Sequence, residues 1–275
     1  MSSHIAGKTI IITGAGSGFG RLIATKAAAA GARVVCGDVN AAGLDETVAA
    51  AGNGSVASLA GDVSDLAYMK ALAARAVDEF GAIDVMINNA GVMPLAFFRD
   101  HARAADAWNR CIDVNIRGVM NGIIAVHDQM IAQGRGHVIN ISSIYGNFPV
   151  AGAAVYGASK AAVNFFSDAL RVESQGKIKV TTIKPTGVPA TALGKGVINP
   201  EAVIGILGQN AGYLATVGAA AQGKGSEGQL DAEDIRYLVL DPVYIADAVL
   251  HVIDQPWGVS IGDVTVRASG DGYIL

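Results

Sequence analysis

The chain has 275 residues, of which 51% are hydrophobic and 16% charged, with a formal net charge of −4. That length suits one large domain with an ample core, or at most two small ones, and mild acidity without a block of Lys or Arg argues against nucleic-acid and anionic-membrane partners. Two cysteines are too few for a disulfide framework. The sequence has no basic, apolar leader and no uncharged apolar stretch of about 18 residues, so we expect a cytoplasmic protein.

Six short apolar runs alternate with helix-forming stretches through the first two thirds of the chain. The predicted strands are residues 8–13, 32–37, 55–61, 83–87, 137–142 and 178–183. The predicted helices are residues 21–30, 44–51, 67–80, one or two segments within 105–133, and 155–172. Apolar runs without polar alternation are typical of parallel strands buried on both faces. The pattern therefore predicts an α/β fold with a parallel sheet covered by helices on both sides.

The alternation breaks over residues 186–240, where glycine and alanine are frequent and periodic signals are weak. The elements predicted there and beyond are helical turns over 198–207 and 231–237, a helix over 242–253 and a strand over 259–267. No internal repeat is apparent, so we expect a single domain spanning residues 1–275.

A glycine-rich loop at residues 13–20 joins the first predicted strand to the first predicted helix. Gly14 permits a sharp exit from the strand, and the helix that follows offers free N–H groups and a positive dipole end to an anion. In this strand–loop–helix context the motif favours a dinucleotide pyrophosphate site over a turn that only connects two elements. The candidate contacts are Gly14, Gly16, Ser17, Gly18, Phe19 and Gly20.

Two carboxylates follow later strands. Asp38 lies 20 residues after Gly18, where a carboxylate accepts hydrogen bonds from the adenosine ribose and repels a 2′-phosphate. This spacing favours NAD(H) over NADP(H), and an ordinary loop carboxylate is the alternative. Asp62, followed by Val63, is placed either to bond an adenine amino group or to cap the next helix.

A hydroxyl, a phenol and an amine form the candidate catalytic set. Tyr156 and Lys160 are four residues apart on a predicted helix, so both face one side, and Ser143 follows a buried strand. A free phenol has a pKa of about 10 and is a poor acid–base catalyst at neutral pH, but a lysine cation one turn away would stabilise the phenolate. An exposed tyrosine and lysine on an amphipathic helix is the alternative.

Taken together, these motifs resemble those of the short-chain dehydrogenase/reductase superfamily, in its single-domain branch of roughly 250 residues. The resemblance covers residues 8–191 and rests on the loop at 13–20, Asp38, Asp62-Val63, Asn88-Asn89-Ala90-Gly91, Asn115, Ser143 and Tyr156-x-x-x-Lys160. It implies a Rossmann-like, doubly wound sheet. It also implies an oxidoreductase that uses NAD(H) to interconvert a secondary alcohol and a ketone, and a homodimer or homotetramer pairing helices near 105–133 and 155–172.

The resemblance also assigns roles. Tyr156 is the general acid/base, and Lys160 lowers its pKa and holds the nicotinamide ribose. Ser143 polarises the substrate oxygen, and Asn115 holds a water that joins Lys160 to solvent. The cofactor is further lined by Asn89, Ala90 and Gly91.

One segment departs from the family pattern. After the sixth strand the family has Pro-Gly, then a hydrophobic residue and Thr, whereas this chain reads Pro185-Thr186-Gly187-Val188. We expect Pro185 and the Val188 backbone to contact the nicotinamide carboxamide still. Thr191 stands one residue later than the threonine of the family pattern.

Residues 189–241 are longer than an ordinary connection, and related proteins cover their substrate with this segment. Apolar side chains among its glycines predict a mobile lid over an apolar, bulky or cyclic substrate, with helical packing or a subunit contact as the alternative. Other candidate substrate contacts, one of them in the lid, are Met93, Tyr145, Phe148 and Tyr213.

Two other classes of function remain open. The same fold can serve a dinucleotide-responsive binding or regulatory protein without turnover, although such a protein has no need of the Ser143, Tyr156 and Lys160 set. An epimerase or dehydratase of the superfamily's other branch is the third possibility, but those chains are longer with a different glycine spacing. The histidines show no ligand spacing with cysteines or carboxylates, so we expect no metal site.

Overall fold

A computed structural model describes residues 4–52, 55–189 and 191–274 of the chain. Ala190, within the predicted lid, and the ends of the predicted domain lie outside the described residues. Seven strands form one parallel sheet in the order β3-β2-β1-β4-β5-β6-β7. They are β1 (Thr9–Thr13), β2 (Arg33–Asp38), β3 (Val56–Ala60), β4 (Val85–Asn88), β5 (Gly136–Ile141), β6 (Ile178–Pro185) and β7 (Asp263–Val266).

Helices cover both faces of this sheet. They are α1 (Gly18–Ala29), α2 (Ala41–Ala51), α3 (Leu66–Phe80), α4 (His101–Ile112), α5 (Gly118–Gln133), α6 (Ala154–Glu173), α7 (Ala211–Ala221), α8 (Glu227–Leu230) and α9 (Pro242–Ile253). On β1, Ile10 and Ile12 pack with α1 and α9 on one face, whereas Ile11 packs with α3 and α5 on the other. This doubly wound arrangement confirms the predicted fold class.

The largest differences from prediction lie between β6 and α9. Helix α7 forms in an Ala- and Gly-rich stretch that lacked a periodic signal, where the Asn210 side chain caps it by accepting a hydrogen bond from Tyr213 N at 2.9 Å. The turns predicted over 231–237 form as separate hydrogen-bonded turns and not as a continuous helix, because Asp231 and Asp234 accept hydrogen bonds from nearby backbone N–H groups. The turns predicted over 198–207 form a 3₁₀ helix, Pro200–Leu207.

Among the described residues, no single helix has the length and apolar character needed to cross a membrane. One bent pair, Pro200–Leu207 with Ala211–Ala221, meets the length and composition criteria only when its two helices are taken together, and they meet at 110°.

Candidate functional site

A cavity of about 890 Å³ runs along the edge of the sheet where the parallel strands end. Strands β1, β2, β4, β5 and β6 all end at this edge, so loops far apart in sequence meet there. The predicted site residues on its wall are Gly14, Ser17, Gly18, Phe19, Asp38, Asp62, Val63, Asn89, Ala90, Gly91, Met93, Ser143, Tyr145, Tyr156, Lys160, Pro185 and Val188.

Five predicted residues do not line this cavity. Gly16 and Gly20 lie within the glycine loop and the start of α1, and Asn115 is fully buried behind the wall. Phe148 packs into the apolar cluster beneath the cavity. Tyr213 stands behind Tyr273, with ring centroids 6.5 Å apart, so it supports the wall without forming it.

The glycine loop leaves hydrogen-bond donors free at the start of α1. Gly14 has φ +67°, and a β-carbon there would lie 2.9 Å from the Ala90 backbone, so the close approach of these two loops requires glycine. Ser17 occupies the N-cap position in an extended conformation, but its side chain makes no capping hydrogen bond. The first-turn N–H groups therefore face the cavity beside a positive dipole end, an arrangement that fits a pyrophosphate.

Asp38 is held in place at the end of β2. Its two carboxylate oxygens accept hydrogen bonds from Gly16 N and Asn40 N, each at 2.9 Å. The nearby Arg21 guanidinium is turned to the Gly16 carbonyl at 2.5 Å and to Glu46 at 2.7 Å. Asp38 thus presents a negative charge to the cavity that Arg21 does not neutralise.

Asp62 does not cap the following helix, because Asp65 does so by accepting a hydrogen bond from Ala67 N at 2.8 Å. Instead Asp62 pairs with Arg110 of α4 at 2.8 Å and accepts from the Ser64 hydroxyl at 2.7 Å. Burial acts to raise the pKa of Asp62, but these hydrogen bonds outweigh it and lower the pKa. An anionic Asp62 and a cationic Arg110 therefore stand together on the cavity wall.

Ser143, Tyr156 and Lys160 meet at one end of the cavity. Ser143 follows β5, the strand between β4 and β6, and its hydroxyl accepts a hydrogen bond from Tyr145 N at 3.3 Å. Lys160 lies one turn after Tyr156 on α6, with its Nζ 5.8 Å from the Tyr156 ring centroid, and it donates to the Ile141 carbonyl at 2.8 Å. A phenol, a hydroxyl and an amine therefore share one small volume.

Burial dominates the titration of this set. It raises the pKa of Tyr156, and the neighbouring Ser143 hydroxyl offsets part of that rise. Burial also lowers the pKa of Lys160 to about 8. Burial therefore raises the pKa of Tyr156, whereas Lys160 was predicted to lower it. The Tyr156 phenol is protonated at neutral pH as a result.

Asn115 joins helix α6 to the loop after β4. It lies in a π-helical turn, Asp113–Arg117, and its amide both accepts from Val92 N and donates to Val92 O at 2.9 Å. The same amide donates to the Ser159 hydroxyl at 3.0 Å, which in turn donates to the Tyr156 carbonyl at 2.7 Å. Through this chain of hydrogen bonds Asn115 positions the α6 backbone at Tyr156.

Sequence reasoning missed three residues of this region. Ser159 directly precedes Lys160, and this position next to a predicted catalytic residue was the only sequence feature that could have identified it. Arg110 gave none, because its pairing with Asp62 depends on how α4 packs. Tyr273, near the end of the chain, lines the cavity because β7 lies beside β6.

The described residues contain no group of three or more His, Cys, Asp or Glu side chains placed to hold a metal ion.

Comparisons with known proteins agree with this geometry. The short chain dehydrogenase family profile matches residues 8–201. An uncharacterized oxidoreductase of Staphylococcus saprophyticus is 31% identical over 267 residues, 97% of this chain and 98% of that protein. The 2,5-dichloro-2,5-cyclohexadiene-1,4-diol dehydrogenase of Sphingobium indicum is 38% identical over 198 residues, 70% of this chain and 78% of that one. A closed form of serine dehydrogenase complexed with NADP⁺ has a TM-score of 0.75 at 27% identity, covering 94% of each chain.

Proposed function

The chain belongs to the short-chain dehydrogenase/reductase family of oxidoreductases, and from that premise we propose that it uses NAD(H) to interconvert a secondary alcohol and a ketone. The observation that carries the proposal is the convergence of Ser143, Tyr156 and Lys160 in the cavity that also holds the glycine loop and Asp38. A bound nicotinamide dinucleotide would supply the hydride acceptor for oxidation and the donor for reduction.

Tyr156 moves the proton in this mechanism. During oxidation its phenolate oxygen accepts the proton of the substrate hydroxyl while the carbon bearing that hydroxyl loses a hydride, so the carbon–oxygen bond becomes a carbonyl. Because burial raises the Tyr156 pKa, the phenolate needs a neighbouring positive charge, and Lys160 one turn away is in position to provide it. Reduction runs the same steps in reverse.

Ser143 and Asn115 orient this step. The Ser143 hydroxyl lines the cavity and donates to the substrate oxygen, which polarises the carbonyl. Both N–H groups of the Asn115 amide are already used, by Val92 and Ser159, so we assign Asn115 chiefly to positioning. The predicted water between Asn115 and Lys160 stays a prediction.

Asp38 supports a preference for NAD(H). Its carboxylate faces the cavity, where it would accept hydrogen bonds from the ribose hydroxyls and repel a 2′-phosphate. The related serine dehydrogenase was solved with NADP⁺, but here Arg21 is engaged by Gly16 and Glu46 and Arg110 is paired with Asp62. Both guanidinium groups are therefore already paired within the protein instead of being available to a 2′-phosphate.

We also propose that residues 189–241 cover the substrate. Val203, Ile206, Leu214 and Val217 from this segment line the cavity with Met93 and Tyr145, which supports an apolar substrate of some bulk. The relative that acts on a chlorinated cyclohexadiene diol supports a ring-shaped one.

A homodimer or homotetramer is proposed from exposed apolar side chains on two helices. Met120 and Ile124 of α5 are 41% and 44% exposed, and Phe165 and Val172 of α6 are 74% and 76% exposed. Large exposed apolar side chains grouped on a helix support an interface between subunits. We expect Phe165→Glu to lower the mass measured by light scattering, whereas an unchanged mass would contradict pairing through α6.

The test of the catalytic proposal is Tyr156→Phe, assayed with NAD⁺ and a panel of ring alcohols by NADH absorbance. We expect kcat to fall by about 10²–10⁴-fold while NADH binding is retained, because only the proton-transferring oxygen is removed. Tyr244→Phe, at a partly exposed tyrosine of α9, is the matched control and should keep full activity. Activity of the Tyr156 variant within a few-fold of wild type would refute the mechanism.

A further inference from the structure

The end of the chain forms one wall of the substrate cavity. Residues 268–274 follow β7 and are tied to both sides of the site. Thr186 donates to the Asp271 carboxylate at 2.9 Å, next to the segment expected at the nicotinamide. Gly272 N donates to the Tyr213 hydroxyl at 2.6 Å, which joins the tail to α7. Tyr273 is thereby fixed between these two anchors.

The Tyr273 hydroxyl lies directly against the Gly187 backbone. A β-carbon at Gly187 would overlap the oxygen and the ring of Tyr273, so this approach requires glycine. Thr186, Gly187 and Val188 all line the cavity, as does Tyr273. The phenol oxygen therefore stands where the cofactor end of the cavity meets the substrate end.

A second phenol, that of Tyr145, lines the same cavity. Its ring meets that of Tyr156 edge to face, with centroids 5.4 Å apart. Burial raises the pKa values of Tyr145 and Tyr273, and at Tyr145 the proximity of Tyr156, and then that of Tyr273, adds to the rise. Both phenols are therefore neutral at physiological pH, and each can donate and accept one hydrogen bond.

Neither hydroxyl has a hydrogen-bond partner among the described residues. The surrounding wall is largely apolar, with Met93, Leu95, Val203 and Ile206 nearby in the same cluster or cavity. A tyrosine hydroxyl in such surroundings normally finds a partner, and a ligand that lacks one leaves it unpaired. The reacting oxygen is already served by Tyr156 and Ser143, so these two phenols are available to another group.

We infer that the substrate carries a second oxygen, a hydroxyl or a carbonyl, which binds the hydroxyls of Tyr145 and Tyr273 while the first oxygen meets Tyr156 and Ser143. The substrate class is thus a ring bearing two oxygens, a cyclic diol or hydroxyketone. This inference rests on the proposed function and narrows its substrate.

The test compares cyclohexane-1,2-diol and cyclohexane-1,4-diol with cyclohexanol, using wild type, Tyr145→Phe and Tyr273→Phe. We expect wild type to prefer at least one diol over cyclohexanol by 10-fold or more in kcat/KM, since a site built to bond a hydroxyl discriminates against its absence. In each variant the preference for that diol over cyclohexanol, measured as the ratio of the two kcat/KM values, should fall by about 10-fold, because the contact to the second oxygen is lost. Tyr244→Phe is the control for the substitution itself.

Three outcomes overturn the inference: equal use of diols and cyclohexanol by wild type, a preference that survives both variants, or a loss confined to the KM for NAD⁺. If none of the alcohols is oxidised, the proposed function fails with this panel, and calorimetric titration of the same compounds decides the inference separately. Diol binding weakened by both variants would support it, and no difference between diol and cyclohexanol binding would overturn it.

Discussion

Buried polar groups differ in their hydrogen-bond partners between the two edges of the sheet. At the edge where strands begin, Lys8, Lys179 and one nitrogen of His137 bond other parts of the chain, whereas His137 Nδ1 and the Thr9 hydroxyl have no partner among the described residues. Lys8 donates to the Ile253 carbonyl at 2.8 Å and lies over the Trp257 ring, and the His137 ring bonds the Thr181 hydroxyl at 2.8 Å. Lys179 bonds the Val259 carbonyl at 3.0 Å. These groups contact other parts of the protein and do not line the cavity that holds the candidate site.

At the edge where strands end, polar groups face a cavity of about 890 Å³. The N–H groups at the start of α1 and the hydroxyls of Tyr145 and Tyr273 have no partner among the described residues. Buried polar groups need hydrogen-bond partners at either edge, so the difference lies in what supplies those partners. We expect changes at the first edge to alter folding, and changes at the second to alter ligand binding and turnover.

Lys160→Met gives the largest expected effect. It should lower kcat/KM by about 100-fold or more, because the Tyr156 phenolate loses its neighbouring cation. It should change the melting temperature little, because relief of the buried ammonium, whose pKa burial lowers to about 8, offsets the lost hydrogen bond to the Ile141 carbonyl. Steady-state kinetics and thermal unfolding measure both. A fully active variant would contradict a role for this edge in turnover. An inactive variant that is also unfolded would contradict the expectation that changes at this edge leave folding intact.

Asp38→Asn tests the cofactor half of the same edge. Hydrogen bonds to a charged acceptor are worth about 1.5–3 kcal/mol, so KM for NAD⁺ should rise by about 10- to 100-fold. NADP⁺ use should improve relative to NAD⁺, because the negative charge is gone. Asp45→Asn, at an exposed position on α2, removes the same charge and should change neither value. An unchanged ratio of NAD⁺ to NADP⁺ efficiency would contradict the proposed ribose contact.

His137 gives the matching test at the other edge. Burial lowers its pKa to about 3, whereas an unfolded histidine titrates near 6.5, so the unfolded state binds the extra proton. Stability from this group is complete above pH of about 6.5 and falls as the pH drops from there toward 3, by about 2 kcal/mol at pH 5. Urea unfolding at pH 7 and 5 should show this loss in wild type.

The control for that measurement is His137→Gln, which should lose less stability between the two pH values and keep wild-type KM at pH 7. The same loss in variant and wild type would show that other groups carry the acid sensitivity. A changed KM would show that the first edge also serves the site.

The sequence predicted what local chemistry determines. Uninterrupted apolar runs marked β1, β4 and β5, and the i, i+4 spacing placed Tyr156 and Lys160 on one face. It did not reveal Arg110 beside Asp62, because that pairing depends on how α4 packs.

The substrate side was harder to foresee. Helix α7 lies in an Ala- and Gly-rich stretch that has no helical hydrophobic periodicity. Nothing in the sequence distinguished Phe148 and Tyr213, which do not line the cavity, from the apolar residues that do. Tyr273 carried a usable signal, since a tail that follows a parallel strand starts at the edge where the other strands end. Using that signal required knowing that β7 pairs with β6.

Thr186→Val gives the smallest expected effect. It tests how residues 268–274, which lie beyond the family match that ends at residue 201, are held at the edge where the strands end. The change keeps the side-chain shape but removes the hydrogen bond to Asp271, which stays paired with Arg267. A single hydrogen bond contributes about 1 kcal/mol, so the free energy of unfolding should fall by about that amount.

Amide exchange in residues 268–274, the tail, shows whether this segment is anchored to the site or only lies beside it. In the Thr186 variant the amides of Gly272 and Ile274, which bond the Tyr213 hydroxyl and the Ile206 carbonyl, should exchange faster with solvent. Thr25→Val removes a hydroxyl that bonds only within α1, so it should leave tail exchange unchanged. Equal exchange in the two variants would mean that Thr186 does not hold the tail, and the wall formed by Tyr273 would then depend on its packing against Gly187 and Tyr213 alone.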